Sequence, residues 1–217
     1  MYIALEGVKG VGKSTVLSHL RGWLELAGID YQMLCPTRPM PSRIWWERAY
    51  PYHQHDDDFR QAFYAARSNY HASRVNFDRG LVLGDRSIIT SLVTRWEHTQ
   101  QIPAKDYVKQ VRQMEYQIAL PDHVLLLDAA DSVLLPRLAA RHRSYGQYDE
   151  QVERLQAARS AYHQIEHQAE QLGLERIRWH HVHSARHLPE LVQCIGQHIV
   201  SLLASQRRNS PAAMSMS

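Results

Sequence analysis

Only two cysteines, Cys35 and Cys194, occur in 217 residues. That is too few for a disulfide framework or a thiolate metal centre, and the expected compartment is a reducing cytoplasm. No apolar run comes near the roughly 20 residues that a membrane-spanning helix needs, so no membrane partner is expected. A strand starting at Tyr2 is expected to leave no room for a secretory leader. Charge of one sign is scarce as well: a formal net charge of +3 does not by itself argue for nucleic acid. Lysine is almost missing from the basic set, where 25 Lys+Arg include only Lys9, Lys13, Lys105 and Lys109 as lysines. The arginines suit bidentate phosphate recognition, and codon bias accounts for most of them equally well. What remains, 44% hydrophobic and 22% charged, is an ordinary soluble globular composition of a length that fits one α/β domain.

The chain is organised around Met1 to Thr15, MYIALEGVKGVGKST. Tyr2 to Leu5 reads as a short buried strand. Gly7, Gly12, Lys13 and Ser14 then fill every fixed position of the phosphate-binding pattern G-x-x-x-x-G-K-[ST]. Glycines let the backbone turn tightly and aim successive N–H groups inward, which makes Gly7, Val8, Lys9, Gly10, Val11, Gly12, Lys13, Ser14 and Thr15 the expected phosphate cradle. In this pattern Lys13 reaches the β- and γ-phosphates and the Ser14 hydroxyl ligates Mg²⁺. Val16, Leu17, Leu20, Trp23, Leu24 and Ala27 recur at helical spacing, with Gly28 as the stop. Strand, loop and helix in this order predict a bound nucleoside triphosphate.

Further along, Tyr31 to Cys35 reads as a second strand, and the three prolines of 36–43 dictate a loop. Such a loop follows the carboxyl end of a strand, where open α/β sheets place ligands, so Arg38 and Arg43 are candidate phosphate contacts. Asp56 to Phe77 has an imperfect helical stripe in which Phe63 and Arg67 share a face. Leu81 to Leu83 is a strand leading into Gly84, Asp85, Arg86 and Ser87, an acid on the Mg²⁺ side with an arginine beside it. Helices are expected over 88–96 and 107–120, a strand over 124–127 ending in Asp128, and a helix running into Arg141 and Arg143. Residues 142–149 break the pattern and suggest a basic lid. A long helix from Val152 to Leu172, a strand over 177–182 and a closing helix over 188–199 follow. A patternless tail from Ser205 to Ser217 is expected to be disordered, leaving 1–204 as one domain. The cluster His180, His181, His183 matches no ligand spacing, because alternation puts His181 on the opposite face. Five strands alternating with helices predict an α/β three-layer sandwich with a parallel sheet, every loop named above falling on one edge.

These blocks resemble the thymidylate kinases, nucleoside-monophosphate kinases on a P-loop scaffold. The resemblance is carried by IALEGVKGVGKST, AFYAARSNY at 62–70, LGDRSIITSLV at 83–93, the stretch 121–143 and AARSAYHQI at 157–165. It implies ATP and Mg²⁺ as cofactors and a small nucleotide as the acceptor; a homodimer is a further candidate assembly. It also implies that Phe63 stacks on a pyrimidine, Arg67 bonds the base edge, Arg86 and Arg38 hold the acceptor phosphate, and Asp85 sits near Mg²⁺ with Ser14. Arg141 or Arg143 would neutralise the transferring phosphoryl group. Ser91 is the polar residue expected at the base.

The chain departs from the family in the acceptor half. Lys9 stands where the family usually has Asp, and Thr37, Arg38, Pro39, Met40 replace Arg-Glu-Pro-Gly. Thr94 stands where a Tyr commonly crowds the ribose 2′ position. Two other acceptors therefore stay open, a deoxynucleoside and a modified base in DNA. The deoxynucleoside chemistry needs a carboxylate base soon after the second strand; 35–43 has none and Glu47 is far along. An NTP-binding regulatory protein with lapsed catalysis is the non-enzyme reading.

Overall fold

The protein is described here by a computed structural model covering residues 1–140 and 150–208. Strand β1, Tyr2–Glu6, is buried at every position and forms the centre of a five-stranded sheet. It lies between β3, Leu81–Asp85, and β4, His123–Asp128; β2, Tyr31–Leu34, and β5, Arg178–His183, take the edges. The order β2-β3-β1-β4-β5 is parallel throughout, with Leu5 opposite Asp85 and Glu6 opposite Leu126. Near-continuous apolar runs are what strands covered on both faces require.

The helices are α1 (Lys13–Leu26), α2 (Trp45–His53), α3 (Asp57–Ala72), α4 (Ile88–Thr94), α5 (Ala104–Met114), α6 (Asp131–Ala139), α7 (Val152–His167), α8 (Ala169–Leu172) and α9 (Leu188–Arg208). The connection through α1 crosses the sheet one way and those through α3, α5 and α7 cross it the other, so right-handed crossovers put them on opposite faces. The packing agrees: α1 lies on α9, while α4 packs on α5 and α7. Gly196 lets α9 approach α1 closely, since a Cβ there would lie 2.6 Å from the Trp23 ring.

Several ends differ from the sequence reading, each for a tertiary reason. Helix α3 stops at Ala72 instead of continuing to Phe77, because Gln32 holds the following turn through the Asn76 N–H and the Asn76 and Arg79 carbonyls. Helix α5 ends at Met114 instead of Leu120: Asn69 donates to the Met114 carbonyl and accepts from the Gln117 N–H. The expected helix from 152 to 172 breaks at Gln168 into α7 and α8. The closing helix α9 continues through 205–208, expected to be disordered, to Arg208; 209–217 lie outside the described residues, as does the expected lid. Among the described residues no helix is long and apolar enough to cross a membrane.

Candidate active site

The loop between β1 and α1 lies at the carboxyl end of the sheet, the edge where parallel strands leave room for ligands. Its glycines are required by space and by backbone angle. Gly7 has φ 133, and a Cβ there would meet the Leu127 carbonyl oxygen at 2.2 Å. Gly10 and Gly12 have φ 91, and Gly10 rests against Leu138 of α6. Lys13 opens α1 and is buried, its ammonium donating to the carbonyls of Gly7 (2.7 Å) and Val8 (3.0 Å). Ser14 and Thr15 are exposed on the first turn, Val8 and Val11 are buried behind the loop, and Lys9 is half-buried.

Asp85 ends β3 beside Leu5, so acid and phosphate loop leave neighbouring strands together. Arg86 adopts φ 76, uncommon for a residue with a Cβ, and is held there by its N–H on the Leu5 carbonyl (3.1 Å). The same bend explains Gly84, whose Cβ would lie 2.7 Å from the Arg86 carbonyl. The Arg86 guanidinium donates to Thr90 Oγ1 at 3.1 Å.

A group that sequence reasoning missed organises this corner. Glu6 is fully buried and accepts from the Ser87 N–H (2.8 Å), the Ser87 hydroxyl (2.8 Å), Thr90 (2.7 Å) and Tyr162 of α7 (2.8 Å). A buried carboxylate persists only when its oxygens are satisfied in this way. Ser87 in turn caps α4 by accepting from the Ile89 N–H. Burial first, and the Glu6 charge second, raise the Tyr162 hydroxyl well above its ordinary value, keeping it a donor. The signal in the sequence was an acid ending an otherwise apolar strand next to the phosphate loop. Asp128, at the end of β4, is gripped by Arg159, which also binds Asp131 and the Ala129 carbonyl.

The residues expected at the acceptor are arranged differently. Phe63 and Arg67 do share a face of α3, the guanidinium lying 4.2 Å from the ring centroid. Neither faces an open cleft. The Tyr50 ring of α2 stacks on Phe63, and Glu47 of α2 accepts two bonds from Arg67, both 2.6 Å. Burial works against the Glu47 charge, but Arg67 and the Met40 N–H (2.7 Å) hold its carboxyl below the ordinary value. Glu47 therefore returns to the 36–43 loop, correcting the reading that it lies too far along. Helix α2 itself was missed, having aromatic residues in place of a clean apolar stripe and Pro51 near its end.

Arg38 is exposed in that loop, with its carbonyl bonded to His71 (2.9 Å), and Arg43 is exposed nearby. Ser91 lines a small cleft with Arg95, Tyr107 and Glu115. Thr94 is exposed and donates to the Thr90 carbonyl. Arg141 and Arg143 lie outside the described residues. His180 accepts or donates to both His123 (2.9 Å) and His198 (3.1 Å), while His181 pairs with Glu166; among the described residues no group of three His, Cys, Asp or Glu side chains could hold a metal ion. The loop glycines, Lys13, Ser14 and Asp85 fit a Mg²⁺-bound triphosphate in donor chemistry: backbone N–H groups and an ammonium for phosphate oxygens, a hydroxyl and a carboxylate for the cation.

No family model matches the chain. A probable thymidylate kinase of Methanobrevibacter smithii is 30% identical over 132 residues, which are 59% of this chain and 64% of that protein. The match thus spans less than two thirds of this relative's own length. A thymidylate kinase of Clavibacter michiganensis is 29% identical over 159 residues, 70% of this chain and 74% of that protein.

Proposed function

We propose that the chain, similar over part of its length to two thymidylate kinases, is a nucleoside monophosphate kinase of that family. It moves the γ-phosphoryl group of ATP to a pyrimidine deoxynucleoside monophosphate, dTMP first among them. The observation that carries this reading is the junction of β1 and β3. Gly7 and Arg86, both at positive φ, leave adjacent strands and turn a phosphate cradle and an arginine toward one edge.

Residues 7–15 with Lys13 would bind the triphosphate, and Ser14 and Asp85 would hold Mg²⁺, which when bound spreads the charge of the phosphates. Arg86, fixed through Thr90 and Glu6, would hold the acceptor phosphate with Arg38. Phe63 and Arg67 would take the base, and Arg141 and Arg143 the transferring group. Transfer of this kind is mostly positioning and electrostatics, which is what these groups supply.

One observation favours a second reading, transfer to a deoxynucleoside hydroxyl: the Glu47 carboxylate beside the 36–43 loop is the kind of base that chemistry needs. A coupled assay of ADP release over deoxynucleosides and monophosphates decides. Turnover of monophosphates is expected; turnover of nucleosides alone would overturn the acceptor assignment.

A further inference from the structure

Helix α2 presents to α3 the two things a nucleobase would present. Its Tyr50 ring lies on Phe63 with centroids 4.2 Å apart and planes 23° from parallel. Its Glu47 carboxylate takes Nε and Nη2 of Arg67, so the fork that would meet a pair of base acceptors already has one. Only Nη1 turns elsewhere, toward the Thr37 carbonyl at 3.4 Å. Glu47 and Tyr50 are three residues apart and share one helical face, so one short element delivers both contacts.

We propose that Glu47 and Tyr50 are an internal stand-in for the acceptor's base and determine which acceptors enter: α2 must leave α3 before a base can reach Phe63 and Arg67. The inference rests on the monophosphate-kinase reading. An acceptor carrying a flat base with oxygen or nitrogen acceptors replaces both lost contacts. A sugar phosphate without a base replaces neither, and is excluded although Arg86 could hold its phosphate.

The construction of α2 suits such a movement. Of its residues only Ala49 is buried, and Pro51 cannot donate to the Glu47 carbonyl one turn earlier. Loops enter and leave it, and it packs on α3. Glu47 also holds the Met40 N–H, so releasing it frees the loop that carries Arg38. Base recognition is thereby tied to the arrangement of a phosphate-side arginine.

Affinity for an acceptor is reduced by the fraction of molecules in which α2 is displaced. Titration calorimetry of dTMP and ribose 5-phosphate into the wild-type protein, Tyr50→Ala and Glu47→Ala reads this directly. Each variant is expected to bind dTMP about tenfold more tightly, or about 1.4 kcal/mol, and to gain measurable binding of ribose 5-phosphate. Equal or weaker dTMP binding in the variants overturns the proposal and leaves the kinase reading intact, provided the wild type still turns dTMP over. Absence of dTMP binding to all three proteins removes the acceptor reading and the proposal together. Amide exchange on the unaltered chain gives a second measurement: residues 45–53 should exchange faster when dTMP saturates the protein, and slower exchange there overturns the proposal.

Discussion

In the proposed function one unbroken run, Gly7 to Thr15, would build the donor half of the cleft, whereas the acceptor half would draw Arg38, Phe63, Arg67, Arg86 and Ser91 from separate loops and helices. Such a donor half would work through backbone N–H groups, whose direction is fixed by local φ and ψ. Such an acceptor half would work through side chains, and any neighbour of the right shape can satisfy those first, as Tyr50 and Glu47 do for Phe63 and Arg67. A backbone-built site is therefore ready as folded, and a side-chain-built site depends on what packs against it.

The same contrast holds for two buried glutamates. Glu6, beneath the donor loop, has four donors on its two oxygens. Glu115, beside Ser91, Arg95 and Tyr107, is 4% exposed and leaves Oε2 without a hydrogen bond among the described residues. Burial pushes its carboxyl up to about 7, against an ordinary 4.5.

The largest effect that could break the comparison is at Lys13. Its ammonium donates to the Gly7 and Val8 carbonyls of its own loop, and as the charge expected on the phosphates its loss in Lys13→Ala should cost at least ~10³ in kcat. The melting temperature should move by less than about 4 °C. Wild-type turnover by a folded Lys13→Ala protein would mean that transfer does not use the donor half at all.

Next comes Glu6→Gln, which points an amide N–H₂ at hydroxyls already committed as donors. Leaving a buried donor unmatched in this network should cost about 3 kcal/mol, or a melting temperature about 10 °C lower for a chain of this size. Thermal unfolding measures it. An unchanged midpoint would show that water replaces the carboxylate and that Glu6 does not organise Arg86.

Glu115→Gln should act in the opposite direction. Between pH 4.5 and about 7 the folded protein keeps a proton on Glu115 that the unfolded chain has given up. Stability from this group therefore falls as pH rises through that window and is lowest above it. The shift corresponds to about 3 kcal/mol at most, and a gain of about 2 kcal/mol is expected for the variant at pH 8, with none at pH 4.5. His180 slopes the other way. Burial, then His198 and His123, lower its imidazole to about 4 from 6.5, so the unfolded chain binds more protons between those values and stability rises with pH there. Melting curves of Glu115→Gln should thus climb more steeply from pH 4.5 to 6.5 than those of the wild type. Parallel curves would mean that Glu115 ionises freely in the fold.

How much could be read in advance follows the same division. Strands β1 to β5 and the phosphate loop were legible because short apolar runs and fixed glycine spacing are local facts. The end of α5, held by Asn69, and the tie between Gln32 and the turn after α3 were not, because each is decided by a residue distant in sequence; helix α2 was not, because it has aromatic residues in place of an apolar stripe. At the candidate site, Lys13, Ser14, Asp85 and Arg86 could be picked out from motifs. Glu6 and Tyr162 could not be paired in advance, being 156 residues apart, nor could Glu47 be seen to reach Arg67.

The smallest effect sharpens the acceptor half alone. Thr94 is exposed at the end of α4, and its hydroxyl is turned onto its own helix, donating to the Thr90 carbonyl at 2.7 Å. The next residue, Arg95, is drawn toward Asp57 (3.6 Å). Discrimination against a 2′-hydroxyl by steric overlap needs a group closing on that position, and a weakened hydrogen bond elsewhere, worth about 1 kcal/mol, does not replace it. dUMP and UMP differ at the 2′ position alone, so their kcat/KM values should lie within about tenfold, or about 1.4 kcal/mol. Thr94→Tyr should widen that ratio in favour of dUMP by raising KM for UMP while leaving dUMP nearly unchanged. A strong preference for dUMP already present in the wild type would assign sugar selection to another residue and remove Thr94 from the acceptor site.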